Sequence, residues 1–143
     1  MKSEGRSKKH MIFSTKSEYG LRALVNLAKN QGQEPYSLAK IAKEEKISLA
    51  YLERLFASLK KTKLVQSSQG VKGGYKLAKP ANKITVRDIL TALEGSLAPY
   101  ICAGIGGLCA KKGCDCQTKI VWQKLDKGIS ATLNSIKLSD LIK

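Results

Sequence analysis

A mostly helical chain broken by one small β-hairpin, with a long helix towards its C-terminal end, is the fold the sequence predicts. Three observations predict it. Leu52, Leu55, Phe56 and Leu59 recur at the spacing that puts them on one face of a helix. Behind that stripe, Leu64 to Ser68 and Tyr75 to Ala78 are short runs in strand period, separated by Gly70, Gly73 and Gly74. From about Gln117 onward, Trp122, Leu125, Ile129, Thr132 and Ile136 repeat at three- and four-residue steps, like the seam of a paired helix.

The elements follow in chain order. Residues 1–10, MKSEGRSKKH, carry charge without a following apolar run, so they read as a basic disordered arm and not as a secretory signal. Residues 11–95 read as the folded head. Its first helix is predicted from Ser17 to Lys29, with Leu21, Leu24, Val25 and Ala28 as the apolar stripe. Ser37 caps a second helix that buries Leu38, Ile41 and Ala42. That helix breaks after Lys46, and Ser48 caps the third, with Ile47 and Leu52 as a hydrophobic staple. Two helices joined by so short a turn fit a helix-turn-helix. Pro80 stops the second strand, Thr85 with Asp88 opens a fourth helix, and Gly95 closes it. Residues 96–116 hold all four cysteines and lose the pattern, and residues 117–143 form the long helix and a tail. Gly128 inside that helix costs about 1 kcal/mol relative to alanine.

Charge narrows the partners. The 143 residues carry 26 Lys and Arg against 11 Asp and Glu, a formal charge of +15. The excess is concentrated in residues 1–83, which hold 18 basic and 6 acidic side chains. So basic a half points to a polyanion, nucleic acid before membrane, and no apolar run approaches the ~20 residues of a membrane span. A helix followed by a basic hairpin is how a winged helix-turn-helix meets DNA: the helix enters the major groove and the hairpin tip reaches the backbone or minor groove. The plainer reading is an amphipathic helix and an ordinary hairpin, with Lys60, Lys61 and Lys63 as a solvated face. No Ser/His/Asp set, phosphate-binding glycine motif or carboxylate pair is present, which argues against an enzyme.

Cys102, Cys109, Cys114 and Cys116 lie within fifteen residues, with none elsewhere. In a chain without a secretory signal this reads as metal or redox chemistry. Clustered thiolates select zinc, cuprous copper or an iron–sulfur cluster, and the lack of a Cys-x-x-Cys pair weakens structural zinc. The single histidine, His10, falls in the arm.

With these residues in view, the chain resembles the IscR/NsrR/CymR superfamily of dimeric winged-helix transcription regulators, over roughly Met11 to Lys143. The resemblance rests on SEYGLRAL, ISLAYLERLFASLKK, GVKGGYKLAKP and three cysteines followed by VWQKL. It implies that Ala50, Tyr51, Glu53 and Arg54 face bases and that Gln69 to Gly74 form the wing tip. Ala50 and Arg54 stand where the iron–sulfur biogenesis regulators have serine and glutamine, and Gln69 where they have a minor-groove arginine, so their operator does not carry over. The candidate DNA-binding residues are therefore Ser48, Ala50, Tyr51, Glu53, Arg54, Lys60, Lys61, Gln69, Lys72, Gly73 and Gly74. Arg54 suits a guanine edge, while Lys60, Lys61 and Lys72 suit phosphates.

The resemblance further implies that Cys102, Cys109 and Cys116 bind an iron–sulfur cluster, of the 2Fe-2S type. Each gap between them is one residue longer than in the biogenesis regulators. The position of a fourth-ligand histidine in some members is Lys119 here. In another subgroup the fourth ligand is a carboxylate in the first turn of helix 1 of the partner subunit, and Glu18 stands there; Cys114 is its rival. Trp122, Leu125, Ile129 and Ile136 are the candidate dimerisation residues. The expected protein is a homodimeric, cytoplasmic regulator of a palindromic operator, sensing redox, iron–sulfur or gas status. Its rivals are a cluster-free thiol-redox regulator and a metal or iron–sulfur carrier.

Overall fold

A computed structural model of the chain describes residues 13–32, 34–70, 73–97 and 117–143. Among the described residues, five α-helices and one antiparallel hairpin make up a winged helix-turn-helix with a long C-terminal helix, as the sequence predicts. The cysteine segment, the basic arm and Lys72 lie outside the described residues.

Helix α1 spans Thr15–Asn30, two residues longer at its start than expected, because Ser14 accepts the Lys16 N–H at 3.1 Å and caps it. Its inward face also differs. Gly20, Ala23, Leu24 and Leu27 are buried, whereas Leu21, Val25 and Ala28 are only partly so. The cause is close packing: a Cβ on Gly20 would come within 2.5 Å of the Leu93 side chain, so the small residues face the fourth helix.

Helix α2 (Leu38–Glu45) and helix α3 (Leu49–Lys61) form the helix-turn-helix, capped by Ser37 and Ser48. Leu52, Leu55, Phe56 and Leu59 are buried as the periodicity requires. Strands β1 (Val65–Ser68) and β2 (Gly74–Leu77) pair from Val65–Leu77 to Ser68–Gly74. The backbone before α2 joins this hairpin, since Tyr36 and Tyr75 exchange both N–H···O bonds at 2.9 Å. Close approach explains Gly74: a Cβ there would overlap the Tyr36 carbonyl. Gly74→Ala is therefore expected to push the wing off the head. The destabilisation should be about 1–3 kcal/mol, measured by thermal unfolding against Gly32→Ala, whose added methyl would meet nothing within 4 Å.

Helix α4 (Val86–Glu94) opens with the expected capping box, Thr85 and Asp88 exchanging bonds at 3.1 Å. Helix α5 (Lys119–Asn134) buries none of its residues. Beyond it the chain returns to the head. Val86 N–H donates to the Ile136 carbonyl and Leu138 N–H to the Ile84 carbonyl, both at 2.8 Å, and Leu138 is fully buried in the main core. Ile136 thus lies past the end of α5 and packs, with Leu133, on Val86, Leu90 and Leu97 of its own chain. The expected seam does not continue through it, because α5 stops two residues earlier. Among the described residues no helix is long and apolar enough to cross a membrane.

Candidate nucleic-acid interface

The outward side of α3 presents Leu49, Ala50, Glu53 and Arg54 to solvent, with Lys60 and Lys61 at its C-terminal end. Leu49 is 40% exposed, an apolar residue at the entering end of the helix. Ser48 is also exposed, but its oxygen accepts the Tyr51 N–H at 3.1 Å, so its first task is to cap the helix. None of Arg54, Lys60 and Lys61 takes an acidic partner among the described residues.

Tyr51 is half-buried and differs from its neighbours. Its hydroxyl lies 3.1 Å from the Thr15 hydroxyl, and its ring meets the edge of Tyr19 at 6.1 Å between centroids. The Arg54 guanidinium sits 5.6 Å from the Tyr51 ring centroid, held by the negative face of the π-system. Arg22 in turn lies 5.5 Å from the Tyr19 centroid and bonds Glu45 at 3.2 Å through Nε, tying α1 to the end of α2. Tyr51 is therefore a platform that orders Arg54 and links it to the start of α1. Nothing in local periodicity signals this, because Thr15 lies 36 residues away.

The wing is fastened to the same helix. Tyr75 meets Phe56 edge-on at 5.1 Å, and its phenol is pushed up from its ordinary pKa by burial and then by the Glu53 carboxylate. Gln69 is exposed, and the Gly73 N–H closes the tip on the Gly70 carbonyl at 2.9 Å. Gly73 has no room for a side chain beside the Ser68 and Gly70 carbonyls.

A second group of residues lies where α1 meets the exit to the cysteine segment. Glu94, the last residue of α4, accepts from Ser14 N–H at 2.7 Å, Ser14 Oγ at 2.9 Å and Ser17 Oγ at 2.6 Å. Burial alone would raise its pKa. The hydrogen bonds from Ser17 and Ser14, with the charge of Lys16, outweigh that and hold it below the ordinary value. Sequence reasoning missed this carboxylate. The one available signal was its position: an acid in the last turn of a helix sits against the dipole and needs another partner.

Glu18 is exposed in the first turn of α1, and its carboxylate takes no partner among the described residues. It borders an open cavity of about 560 Å³ with Leu21, Val25 and Leu141. Cys102, Cys109, Cys114 and Cys116 fall outside the described residues, and among those described no group of His, Cys, Asp or Glu could hold a metal. As a donor set, four thiols and one unengaged carboxylate suit iron in a cluster, which takes soft sulfur and tolerates a harder oxygen. The candidate dimer residues divide as follows: Leu125 is exposed, Trp122 and Ile129 are half-buried, and Ile136 belongs to the head. The largest apolar exposures on α5 are instead Ile120 and Val121, at 55% and 53%.

Comparison with known proteins accords with this geometry. A family model, Rrf2, described as an iron-dependent transcriptional regulator, matches residues 13–143. The HTH-type transcriptional regulator IscR of Cereibacter sphaeroides is 40% identical over 136 residues, covering 93% of this chain and 88% of that one. Among solved structures, CymR, the global cysteine regulator of B. subtilis, superposes with a TM-score of 0.74 at 33% identity, covering 91% of this chain and 95% of that one. IscR of T. potens gives a TM-score of 0.71 at 38% identity, with 90% of this chain and 84% of that one covered. These relatives are transcription regulators and not enzymes. A match that runs from the first described residue to the last means that the chain belongs to the Rrf2 family of DNA-binding transcriptional regulators.

Proposed function

We propose that the chain acts in the cytoplasm as a homodimer on a palindromic operator, and that it senses redox, iron–sulfur or gas status through a 2Fe-2S cluster. The observation that carries the DNA reading is the outward face of α3, where Arg54 is ordered on Tyr51 and no acid among the described residues neutralises it or Lys60 and Lys61. Arg54 reads a guanine edge in the major groove, while Lys60, Lys61 and Lys72 neutralise phosphates. Cys102, Cys109 and Cys116 hold the cluster, with the partner subunit's Glu18 as fourth ligand and Cys114 as its rival. Bound there, the cluster supplies chemistry that responds to oxidants and small gases. A carboxylate oxygen is displaced more readily than a thiolate, which suits a sensor. Glu18 stands in the first turn of α1, three residues from the Thr15 that touches Tyr51, so a pull on Glu18 is felt at the helix end that supports Arg54.

Salt titration of DNA binding tests the interface. Lys72→Ala should flatten the dependence of log K on log salt by about 0.9 per contact, alike on every sequence. Arg54→Ala should lose discrimination at one base pair, by about 1–3 kcal/mol. Equal effects of both variants on specific and random DNA would place α3 outside the groove.

The likeness to CymR favours a second reading, in which the same cysteines act as thiols that oxidise to disulfides. Anaerobic purification separates the two. A brown protein with stoichiometric iron and sulfide supports the cluster, and a colourless one with titratable thiols supports the redox switch.

A further inference from the structure

Among the described residues, two that are not glycine have positive φ: Lys46 at 58° and Lys63 at 65°. Both occupy the same place in the same device. After α2, Lys46 N–H reaches the Lys43 carbonyl and Ile47 N–H the Ala42 carbonyl; after α3, Lys63 N–H reaches the Lys60 carbonyl and Leu64 N–H the Leu59 carbonyl. Each is a Schellman ending, whose left-handed residue is ordinarily glycine because any Cβ there crowds its own carbonyl. Ile47 and Leu64, which follow, are buried, so neither turn can relax without losing core contacts.

Two lysines at positions that favour glycine call for a reason outside the fold. Both are exposed, and neither ammonium has an acidic or aromatic partner among the described residues, unlike Lys40, which lies over the Tyr36 ring at 5.4 Å. They bracket α3: Lys46 stands two residues before its Ser48 cap, and Lys63 stands between its last turn and β1 of the wing. A thirteen-residue helix is about 20 Å long, against ~12 Å for the width of the major groove. A helix longer than the groove is wide carries the residues just beyond its two ends, Lys46 and Lys63, towards the phosphate ridges.

We infer that Lys46 and Lys63 are a pair of DNA phosphate anchors, one at each end of the recognition helix, kept at a standing loss of fold stability. The inference rests on the DNA-binding reading given above and adds two contacts to it. The competing account is internal: a cation after the last turn of a helix is favoured by the dipole, and Lys would then be present for stability. The two accounts predict opposite signs.

The test uses the full chain, with Lys46→Gly, Lys63→Gly and the charge-keeping Lys46→Arg and Lys63→Arg. Thermal unfolding is read beside salt titrations on a labelled random-sequence duplex and on a duplex selected by the wild-type chain from a random library. Each glycine variant should raise Tm by roughly 2–4 °C and lower the salt slope by about 0.9 for each subunit bound, on both duplexes. Each arginine variant should keep the wild-type slope and gain no Tm. A glycine variant with a raised Tm and an unchanged slope overturns the inference and leaves the DNA-binding reading intact. A glycine variant with a lowered Tm also overturns it, in favour of the dipole account. A wild-type chain that binds neither duplex overturns the DNA-binding reading itself.

Discussion

Serine at Cys102, Cys109 or Cys116 is expected to give a colourless protein without iron or sulfide, even when it is purified anaerobically. Each loss should be complete, since a cluster iron held by fewer than its protein ligands is open to water and to exchange. The fourth position separates two designs. Glu18→Ala should leave a cluster with a changed visible spectrum and a shorter lifetime in air, while Cys114→Ser changes little. Cys114 and Cys116 are one residue apart, so both reach the same iron only if Asp115 turns sharply. Glu18 needs no such turn, and its carboxylate is not engaged elsewhere among the described residues. If Cys114→Ser bleaches the protein and Glu18→Ala does not, the ligands are all cysteine and the link between subunits is lost. The spectrum and the iron content check this without any DNA.

Aspartate at both Leu125 and Ile129 is expected to abolish the proposed dimer and leave a monomer. None of the sixteen residues of α5 is buried within its own chain, and Ile120, Val121 and Leu125 are all more than 40% exposed. An apolar face of that extent on a regulator expects a cover, and two unpaired charges in a closed seam cost several kcal/mol. Sedimentation should show one subunit's mass, and operator binding should fall away because one half-site supplies half the phosphate contacts. The folded head should persist, with helical far-ultraviolet dichroism and a cooperative thermal transition retained. A double variant that stays dimeric would move the interface to another surface.

The helix-turn-helix was legible because its signals are local. Ser48, the stripe from Leu52 to Leu59 and the glycines of the wing each act within a few residues, and each element formed within one residue of where they place it, β1 starting at Val65 and β2 running from Gly74 to Leu77. The face of α1 was less legible. Gly20 and Ala23 carry little hydrophobic weight, so a stripe built on Leu and Val turns away from the true contact, where the Leu93 side chain packs directly over Gly20. The Glu94 carboxylate and the Tyr51 platform rest on pairs up to 80 residues apart, beyond any pattern in a window, whereas the Ser14 cap of α1 is local and was readable. Ile136 keeps the spacing of a helical seam, but the tail crosses back to the Thr85 backbone and takes it into the head. The cysteine ligands were named by type and resemblance, and they lie outside the described residues.

That return of the tail separates two evolutionary problems. Leu97, at one end of the cysteine-bearing excursion, and Leu133 and Ile136, at the other, meet in one small apolar cluster apart from the main core. The chain between Leu97 and Leu133 thus has its two ends held together, and the entropy of closing a flexible stretch grows only with the logarithm of its length, about 0.6 kcal/mol per doubling. Adding or removing single residues between the cysteines hardly disturbs the head. A stretch tied in this way can change in length by insertion and deletion while the outward face of α3 is inherited unchanged.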